Sequence, residues 1–268
     1  MDVLPSGIHY RQWPVDQPRA TILLIHGLGE HSGRYQPVAE AFNARGFAVI
    51  APDHMGHGES PGARVYVHRF EDYLVGVREC RAVLAERYPD VPCFVLGHSM
   101  GGLITGRLLL EDQQHYHGAL LSGSAFAAEQ PPSVLVMWIG RLLSKVAPKA
   151  GMIALDATGV SRDPQVVADY IADPLVNHGK VSARLAVAIF DAMEQVLARA
   201  ADITLPILAM HGGADTMAAP KGSEQFASAV SSEDVTLKLL PGLYHEIFNE
   251  PEGKGIIADY ADWVEARL

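Results

Sequence analysis

The sequence predicts an α/β fold with a mostly parallel central sheet, helices on both faces of the sheet and an inserted helical cap. Continuous apolar runs of strand length alternate with helical patterns along the 268 residues. Such runs are typical of parallel strands covered on both faces, and their alternation with helices is typical of βαβ units. From residue 125 to residue 200, helical patterns stand without a convincing strand. We therefore predict one domain overall, with a core of residues 1–124 and 201–268 and a helical cap insertion of residues 125–200.

Each predicted element follows from its own pattern. The predicted strands are residues 21–27, 47–53, 93–99, 118–124, 206–212 and 235–241. The predicted helices are residues 37–45, 71–88, 101–111 and 253–268 in the core and residues 134–146 and 181–197 in the cap. Gly46 ends the first helix and Pro89 follows the second, and both residue types commonly stand where helices stop.

Composition limits the classes of function. Hydrophobic residues make up 49% of the chain and charged residues 19%, which excludes a disordered protein. The formal net charge of −10 argues against nucleic acid or anionic lipid held by charge, and favours a neutral or apolar substrate. Cys80 and Cys93 have no metal-ligand spacing and are interpreted as buried thiols. Neither a signal peptide nor a membrane-spanning run is evident, so we expect a cytoplasmic protein.

The motif G-H-S-M-G at residues 97–101 stands between a predicted strand and a predicted helix. Its glycines permit a sharp turn that exposes the serine above the sheet, at the positive end of the following helix. We interpret Ser99 as a nucleophile that forms an acyl-enzyme. The alternative is a glycine-rich turn between a strand and a helix, without catalytic function.

A serine hydroxyl needs a base to remove its proton, and the base needs an acid to orient it. In strand–helix folds with this motif the chain order is serine, acid, histidine. The histidines after the motif are His115, His117, His178, His211 and His245. Only His245 follows a predicted strand, at the sheet edge of Ser99, and we predict that it is the base. Asp215 follows the strand at 206–212 and is the predicted acid, with a solvated turn carboxylate as the alternative.

Two backbone N–H groups are needed to stabilise a tetrahedral oxyanion. One is expected from Met100, the residue after the nucleophile. The other is expected from Leu28, in the glycine-flanked loop after the first predicted strand. Together with Ser99, these two residues complete a predicted site for acyl transfer.

Several motifs together resemble the monoacylglycerol lipases, which are serine hydrolases of the α/β-hydrolase fold. The motifs are LLIHGLGEHSGRY at 23–35, PDHMGHGES at 52–60, LGHSMGG at 96–102, DPLV at 173–176, HGGAD at 211–215 and YHEIFNE at 244–250. The resemblance covers about two-thirds of the chain and does not include residues 125–172. It implies hydrolysis of monoacylglycerols to fatty acid and glycerol, without a cofactor or a metal.

The resemblance also implies a role for Glu30 and Arg34, which correspond to residues that help to hold the glycerol head group. A carboxylate accepts hydrogen bonds from hydroxyl groups and a guanidinium donates them. The alternative is an ion pair that shapes the loop. The segment Asp53-His54-x-x-His57 resembles a metal site, but its turn position favours local hydrogen bonds instead, and His31 and His98 are interpreted as structural.

The cap of the resembling family supplies an apolar tunnel for the acyl chain. Here residues 134–139 with Leu142 and Leu143 are candidates to line it and to contact a membrane or a micelle. The alternative functions are a general carboxylesterase or lysophospholipase with the same triad, and, after these, a serine aminopeptidase or a non-catalytic receptor with this fold. The expected partner is a small lipid ester, not nucleic acid.

Overall fold

The computed structural model describes residues 2–268, so Met1 of the predicted core lies outside the described residues. The strands are β1 (Asp2–Val3), β2 (His9–Trp13), β3 (Ala20–Ile25), β4 (Phe47–Pro52), β5 (Cys93–His98), β6 (Gly118–Ser122), β7 (Gly151–Ile153), β8 (Val181–Ser182), β9 (Ile207–Gly212) and β10 (Val235–Leu240). The α-helices are α1 (Gln36–Asn43), α2 (Tyr73–Arg87), α3 (Met100–Asp112), α4 (Val134–Val146), α5 (Pro164–Ala172), α6 (Ala183–Ala198), α7 (Pro220–Ala229) and α8 (Gly253–Glu265).

The main sheet has the strand order β1-β2-β4-β3-β5-β6-β9-β10. β2 pairs antiparallel with both β1 and β4, whereas every pair from β4 to β10 is parallel. The predicted α/β fold with a mostly parallel sheet is therefore confirmed. Because the strands are parallel, the carboxyl ends of β3, β5, β6, β9 and β10 lie at one edge of the sheet.

The helices cover both faces of this sheet. In β3 all six residues are buried, and alternate side chains enter different cores because successive residues of a strand point to opposite faces. Leu23 and Ile25 belong to the core under α2, α3 and α6. Ile22 and Leu24 belong to the core under α1 and α8. This two-sided burial explains why the strand has no polar alternation in sequence.

Residues 125–200, the predicted cap, contain α4, α5 and α6 together with a small sheet that the sequence did not predict. β7 pairs antiparallel with β8, so the expectation that residues 125–200 contain no strand is wrong. These strands are too short to produce an apolar run, and Ser182 of β8 also caps α6 by accepting a hydrogen bond from Leu185 N–H. The division into core and cap stays a prediction.

Candidate active site

Ser99 lies at a sharp turn between the end of β5 and the start of α3. Its backbone has φ 54° and ψ −120°, which is a strained conformation for a residue with a side chain, at a cost of roughly 1–3 kcal/mol. The turn is held by hydrogen bonds: Ser99 N–H donates to Ser122 O at 3.0 Å, and Gly102 N–H donates to Ser99 O at 2.9 Å. The main chain thus presents the hydroxyl above the sheet edge.

The two outer glycines of the motif allow β5, β3 and α3 to approach each other closely. A Cβ on Gly101 would collide with the carbonyl groups of Ile25 and His26 at the end of β3. A Cβ on Gly97 would collide with the Thr105 hydroxyl and the Gly101 carbonyl. Both positions therefore require glycine for packing, which is a reason for the motif that is independent of its chemistry.

Ser99, His245 and Asp215 lie in one hydrogen-bonded chain. His245 Nε2 is 2.8 Å from Ser99 Oγ, and His245 Nδ1 is 2.6 Å from Asp215 Oδ2. Asp215 follows β9 and His245 follows β10, so the sheet edge brings together three residues that are far apart in sequence. The imidazole and the carboxylate are both buried. The structure places these residues in the order that proton transfer from serine to histidine requires.

The Asp215 carboxylate is fixed by the turn after β9. Its Oδ1 accepts hydrogen bonds from Met217 N–H at 2.8 Å and Ala218 N–H at 3.0 Å. His211 Nε2 lies 3.0 Å from Asp215 Oδ2 and 3.1 Å from Ala218 O, so it carries a proton and donates. The Ser223 hydroxyl, 2.7 Å from His211 Nδ1, then donates to that nitrogen. The carboxylate is held in one orientation toward the imidazole.

The pKa shifts of the acid and the base reinforce each other. Burial by itself raises the pKa of Asp215, but the charge of His245 and the hydrogen bonds from His211 and His245 hold that pKa well below its ordinary value. Burial lowers the pKa of His245, and the neighbouring Asp215 outweighs this effect and raises it above its ordinary value of 6.5. The acid therefore stays ionised and makes the imidazole more basic.

The backbone N–H groups of Leu28 and Met100 are both available at the serine. Among residues 2–268, no carbonyl or side chain accepts a hydrogen bond from either group. Both residues line the same cavity as Ser99, and a Cβ on Gly27 would lie 3.1 Å from the Ser99 Cβ. Two free N–H groups beside the Ser99 hydroxyl can bind a developing oxyanion.

Glu30 and Arg34 belong to a buried ionic network behind the serine. Glu30 Oε1 accepts hydrogen bonds from Gly27 N–H and the Tyr35 hydroxyl, each at 2.7 Å. Arg34 donates to Glu30 Oε2 at 2.7 Å and to both oxygens of Glu246 at 2.6 and 2.7 Å. Burial raises the pKa of Glu30, but the Arg34 guanidinium outweighs this and lowers it. Glu30 lines the cavity that contains Ser99, whereas Arg34 lies behind it.

A second set of contacts connects the cap to the loop after β3. His31 Nε2 is 2.8 Å from Asp173 Oδ2, and Asn177 N–H donates to Gly29 O at 2.7 Å. The sequence contained a signal for these contacts, because Asp173 opens the DPLV motif, but the motif alone does not identify its partners. In the structure, the DPLV motif and the residue after it hold the loop that carries Leu28 through these two contacts.

The segment of Asp53, His54 and His57 makes hydrogen bonds within itself and also to the loop that follows β3, so the expectation of purely local hydrogen bonds holds only in part. Asp53 accepts from the backbone N–H groups of Ser32 and Glu59 at 2.8 and 3.0 Å. The rings of His54 and His57 each contact a backbone carbonyl. Among residues 2–268, no group of three or more His, Cys, Asp or Glu side chains is arranged to hold a metal ion.

Ser99 opens into a cavity of about 570 Å³ under the cap. Its apolar lining comes largely from cap residues, namely Ile153, Leu155, Val181, Ile189, Phe190 and Met193. Four acidic residues also contribute to the lining, namely Glu30, Glu129, Asp156 and Glu246. Within the described chain, the lining contains no lysine or arginine. The cavity therefore suits a neutral molecule that is largely apolar.

The comparisons with known proteins point to one family of hydrolases. The family model described as "Serine aminopeptidase, S33" (Hydrolase_4) matches residues 16–252. The chain is 42% identical to a monoacylglycerol lipase of Mycolicibacterium smegmatis, over 97% of this chain and 94% of the relative. It is 33% identical to a monoglyceride lipase of Rattus norvegicus, over 96% of this chain and 86% of the relative.

The solved structures that this chain resembles include enzymes of the same kind. The crystal structure of the Paleococcus ferrophilus monoacylglycerol lipase aligns with a TM-score of 0.89 at 31% identity, covering 97% of this chain and 99% of that chain. A soluble variant of the Saccharomyces cerevisiae monoglyceride lipase, in complex with a substrate analogue, aligns with a TM-score of 0.86 at 26% identity, covering 97% of this chain and 91% of that chain. Both matches cover nearly the whole chain and so extend into residues 125–200.

Proposed function

The chain belongs to the monoacylglycerol lipase family of α/β-hydrolases, and from this premise we propose that it hydrolyses monoacylglycerols to a fatty acid and glycerol. The observation that carries the proposal is the position of Ser99 beside Glu30 in a largely apolar cavity of about 570 Å³. A monoacylglycerol has the matching chemistry, because its ester joins a small polar group to a long apolar chain.

In the proposed reaction, Ser99 Oγ bonds to the ester carbonyl carbon while its proton passes to His245 Nε2. The N–H groups of Leu28 and Met100 bind the tetrahedral oxyanion. The bond from carbon to the glycerol oxygen then breaks, and His245 returns the proton to that oxygen. Water attacks the resulting acyl-enzyme by the same route, which releases the fatty acid and restores the Ser99 hydroxyl. Asp215 stabilises the imidazolium in both steps.

We propose that Glu30 accepts a hydrogen bond from a glycerol hydroxyl. Its Oε1 already accepts two hydrogen bonds, but its Oε2 accepts only one, from Arg34, and keeps a lone pair. Arg34 is held by Glu30 and Glu246, so it acts by orienting the carboxylates. The same network anchors Gly27 and therefore also supports the loop.

Glu30→Gln is expected to lower kcat/KM for glycerol release from a monoacylglycerol by at least about tenfold more than kcat/KM for the matching methyl ester. The methyl ester has the same acyl group but no hydroxyl groups for Glu30 to bind. Glu224→Gln, on the exposed side of α7, is the matched control and is expected to change neither rate. Equal losses on both esters would assign Glu30 to loop support alone.

The same assay tests the proposed substrate class against the alternatives. The wild-type protein is expected to prefer monoacylglycerols to methyl esters, and to act poorly on lysophospholipids because the acidic lining repels a phosphate group. Equal rates on monoacylglycerols and methyl esters would instead identify a general carboxylesterase. Faster release from lysophospholipids would identify a lysophospholipase.

We further propose that α4 contacts lipid surfaces. The residues of α4 that are buried against the rest of the protein are small, namely Gly140 and Ser144. Most of its large apolar residues face outward, with Leu135 66% exposed and Trp138 64% exposed. Among residues 2–268, no helix is long and apolar enough to cross a membrane. An exposed apolar helix face of this kind is typical of proteins that bind at the surface of a bilayer.

The double variant Leu135→Ser, Trp138→Ser is expected to bind neutral phosphatidylcholine vesicles at least about tenfold more weakly, because less apolar surface enters the lipid. Hydrolysis of a soluble nitrophenyl ester is expected to be unchanged. Val75→Ser is the matched control, since Val75 is an exposed valine on α2, which lies outside the predicted cap. Vesicle binding that is equal in all three proteins would contradict a role for α4.

A further inference from the structure

His26 lies directly after β3, is fully buried and makes two hydrogen bonds that fix its protonation. The backbone N–H of His54 donates to His26 Nε2 at 2.9 Å, so this nitrogen carries no proton. His26 Nδ1 is 2.7 Å from Gly27 O, which can only accept. Nδ1 therefore carries the proton and donates it to the Gly27 carbonyl.

The Gly27 carbonyl and the Leu28 N–H belong to the same peptide group. Among residues 2–268 no peptide bond is cis, so in this planar unit the C=O and the N–H point in opposite directions. The carbonyl points toward the buried His26 ring. The Leu28 N–H must then point away from the ring, and it has no acceptor within the described protein.

We infer that His26 is a positioning residue, which holds the Gly27–Leu28 peptide in the orientation that directs the Leu28 N–H toward the oxyanion. The neighbouring groups of the loop are held by other residues. Gly27 N–H donates to Glu30, and Gly29 O accepts from Asn177 N–H. The rotation of the Gly27–Leu28 peptide is thus controlled by the His26 hydrogen bond. Without this bond the glycine-flanked peptide can turn, and its N–H can leave the oxyanion site.

The surroundings of His26 keep its imidazole ring neutral. The ring centroid of His26 is 4.1 Å from that of His54 and 5.5 Å from that of His57. Burial, followed by the proximity of His57, lowers the pKa of His26 well below its ordinary value. Over the pH range in which His245 acts as a base, the ring therefore remains a donor through Nδ1 and an acceptor through Nε2.

This inference rests on the proposed chemistry of Ser99 but not on the identity of the ester. Two substitutions separate the two hydrogen bonds of the ring. In His26→Asn the side-chain amide nitrogen takes the place of Nδ1 and keeps the bond to Gly27 O. In His26→Gln the longer side chain brings its amide oxygen to the place of Nε2, where it accepts from the His54 backbone N–H, and the bond to Gly27 O is lost.

The test measures kcat and KM on a soluble nitrophenyl butyrate, together with the affinity for a trifluoromethyl ketone, which forms an oxyanion on the serine. His26→Gln and His26→Leu are expected to lower kcat by about 10²-fold, as the loss of one oxyanion donor does, with KM changed by less than about threefold. His26→Asn is expected to stay within about tenfold of the wild-type kcat. The affinity for the ketone is expected to fall in parallel with kcat.

His57→Leu is the matched control for packing. His57 is buried in the same cluster, and it contacts Met55 O instead of the loop. This variant is expected to lower the unfolding temperature without lowering kcat of the folded protein. An equal loss of kcat in His57→Leu, or an unchanged kcat in His26→Gln, would overturn the inference. If the wild-type protein hydrolysed no ester, the proposed Ser99 chemistry would fail instead.

Discussion

Ser99→Ala is expected to lower kcat for ester hydrolysis by about 10⁶-fold, because the proposed acyl-enzyme forms on the Ser99 hydroxyl. The substitution keeps the Cβ and the backbone strain at φ 54°, and it removes only the oxygen that lies 2.8 Å from His245 Nε2. The folded state should therefore survive. Initial rates on a soluble nitrophenyl ester measure the loss, and a fluorophosphonate probe, which labels only an activated serine, reports the nucleophile directly.

Ser124→Ala is the matched control for this experiment. Ser124 is buried just after the end of β6, the strand next to β5, and its hydroxyl has no hydrogen-bond partner among the described residues. Its removal is expected to leave both the rate and the labelling by the probe unchanged. Wild-type rates or full labelling in Ser99→Ala would show that another residue is the nucleophile.

The elements that the sequence predicted well are those whose environment is uniform. The strand predicted at residues 93–99 is β5, in which all six residues are buried. A strand buried on both faces is mostly apolar, so it stands out in the sequence as one short apolar run. The observed strands of the parallel part differ from the predicted ones by one or two residues at their ends.

The elements that were not predicted have mixed environments. β2, with the sequence HYRQW, has two buried and three half-buried residues. It joins the sheet through antiparallel pairing with β4, which no local pattern reveals. α7 buries Gly222 and Ser223 with Phe226, and so it carries little apolar signal. Such elements are determined by their partners in the fold.

The same distinction separates the two parts of the candidate site. The order of Ser99, Asp215 and His245 can be proposed from sequence, because parallel strands bring their carboxyl ends to one edge. The partner of Arg34 cannot, because Glu246 lies 212 residues away and only the folded loops bring the two side chains together. His26 was not singled out either, since a histidine that ends a buried strand has no sequence feature that reports its hydrogen bonds.

Asp215→Asn is expected to lower kcat for ester hydrolysis by about 10⁴-fold. An asparagine amide can present its N–H₂ group to His245 Nδ1, which then favours the tautomer with the proton on Nε2. That tautomer cannot accept the Ser99 proton. In addition, the buried imidazolium loses the negative charge that lies 2.6 Å from it. Steady-state rates on the nitrophenyl ester, measured from pH 5 to pH 9, test the effect and its pH dependence together.

The pH profile distinguishes this explanation from a general disturbance of the site. In the wild-type protein, Asp215 raises the pKa of His245 above 6.5, so kcat/KM is expected to fall as the pH drops through a value above 6.5, where Nε2 becomes protonated. In Asp215→Asn the burial of His245 is no longer opposed by that charge, and the acid limb is expected at lower pH. Asp202→Asn, on the exposed carboxylate before β9, is expected to retain the wild-type rate and profile. An unchanged acid limb in Asp215→Asn would show that another group sets the basicity of His245.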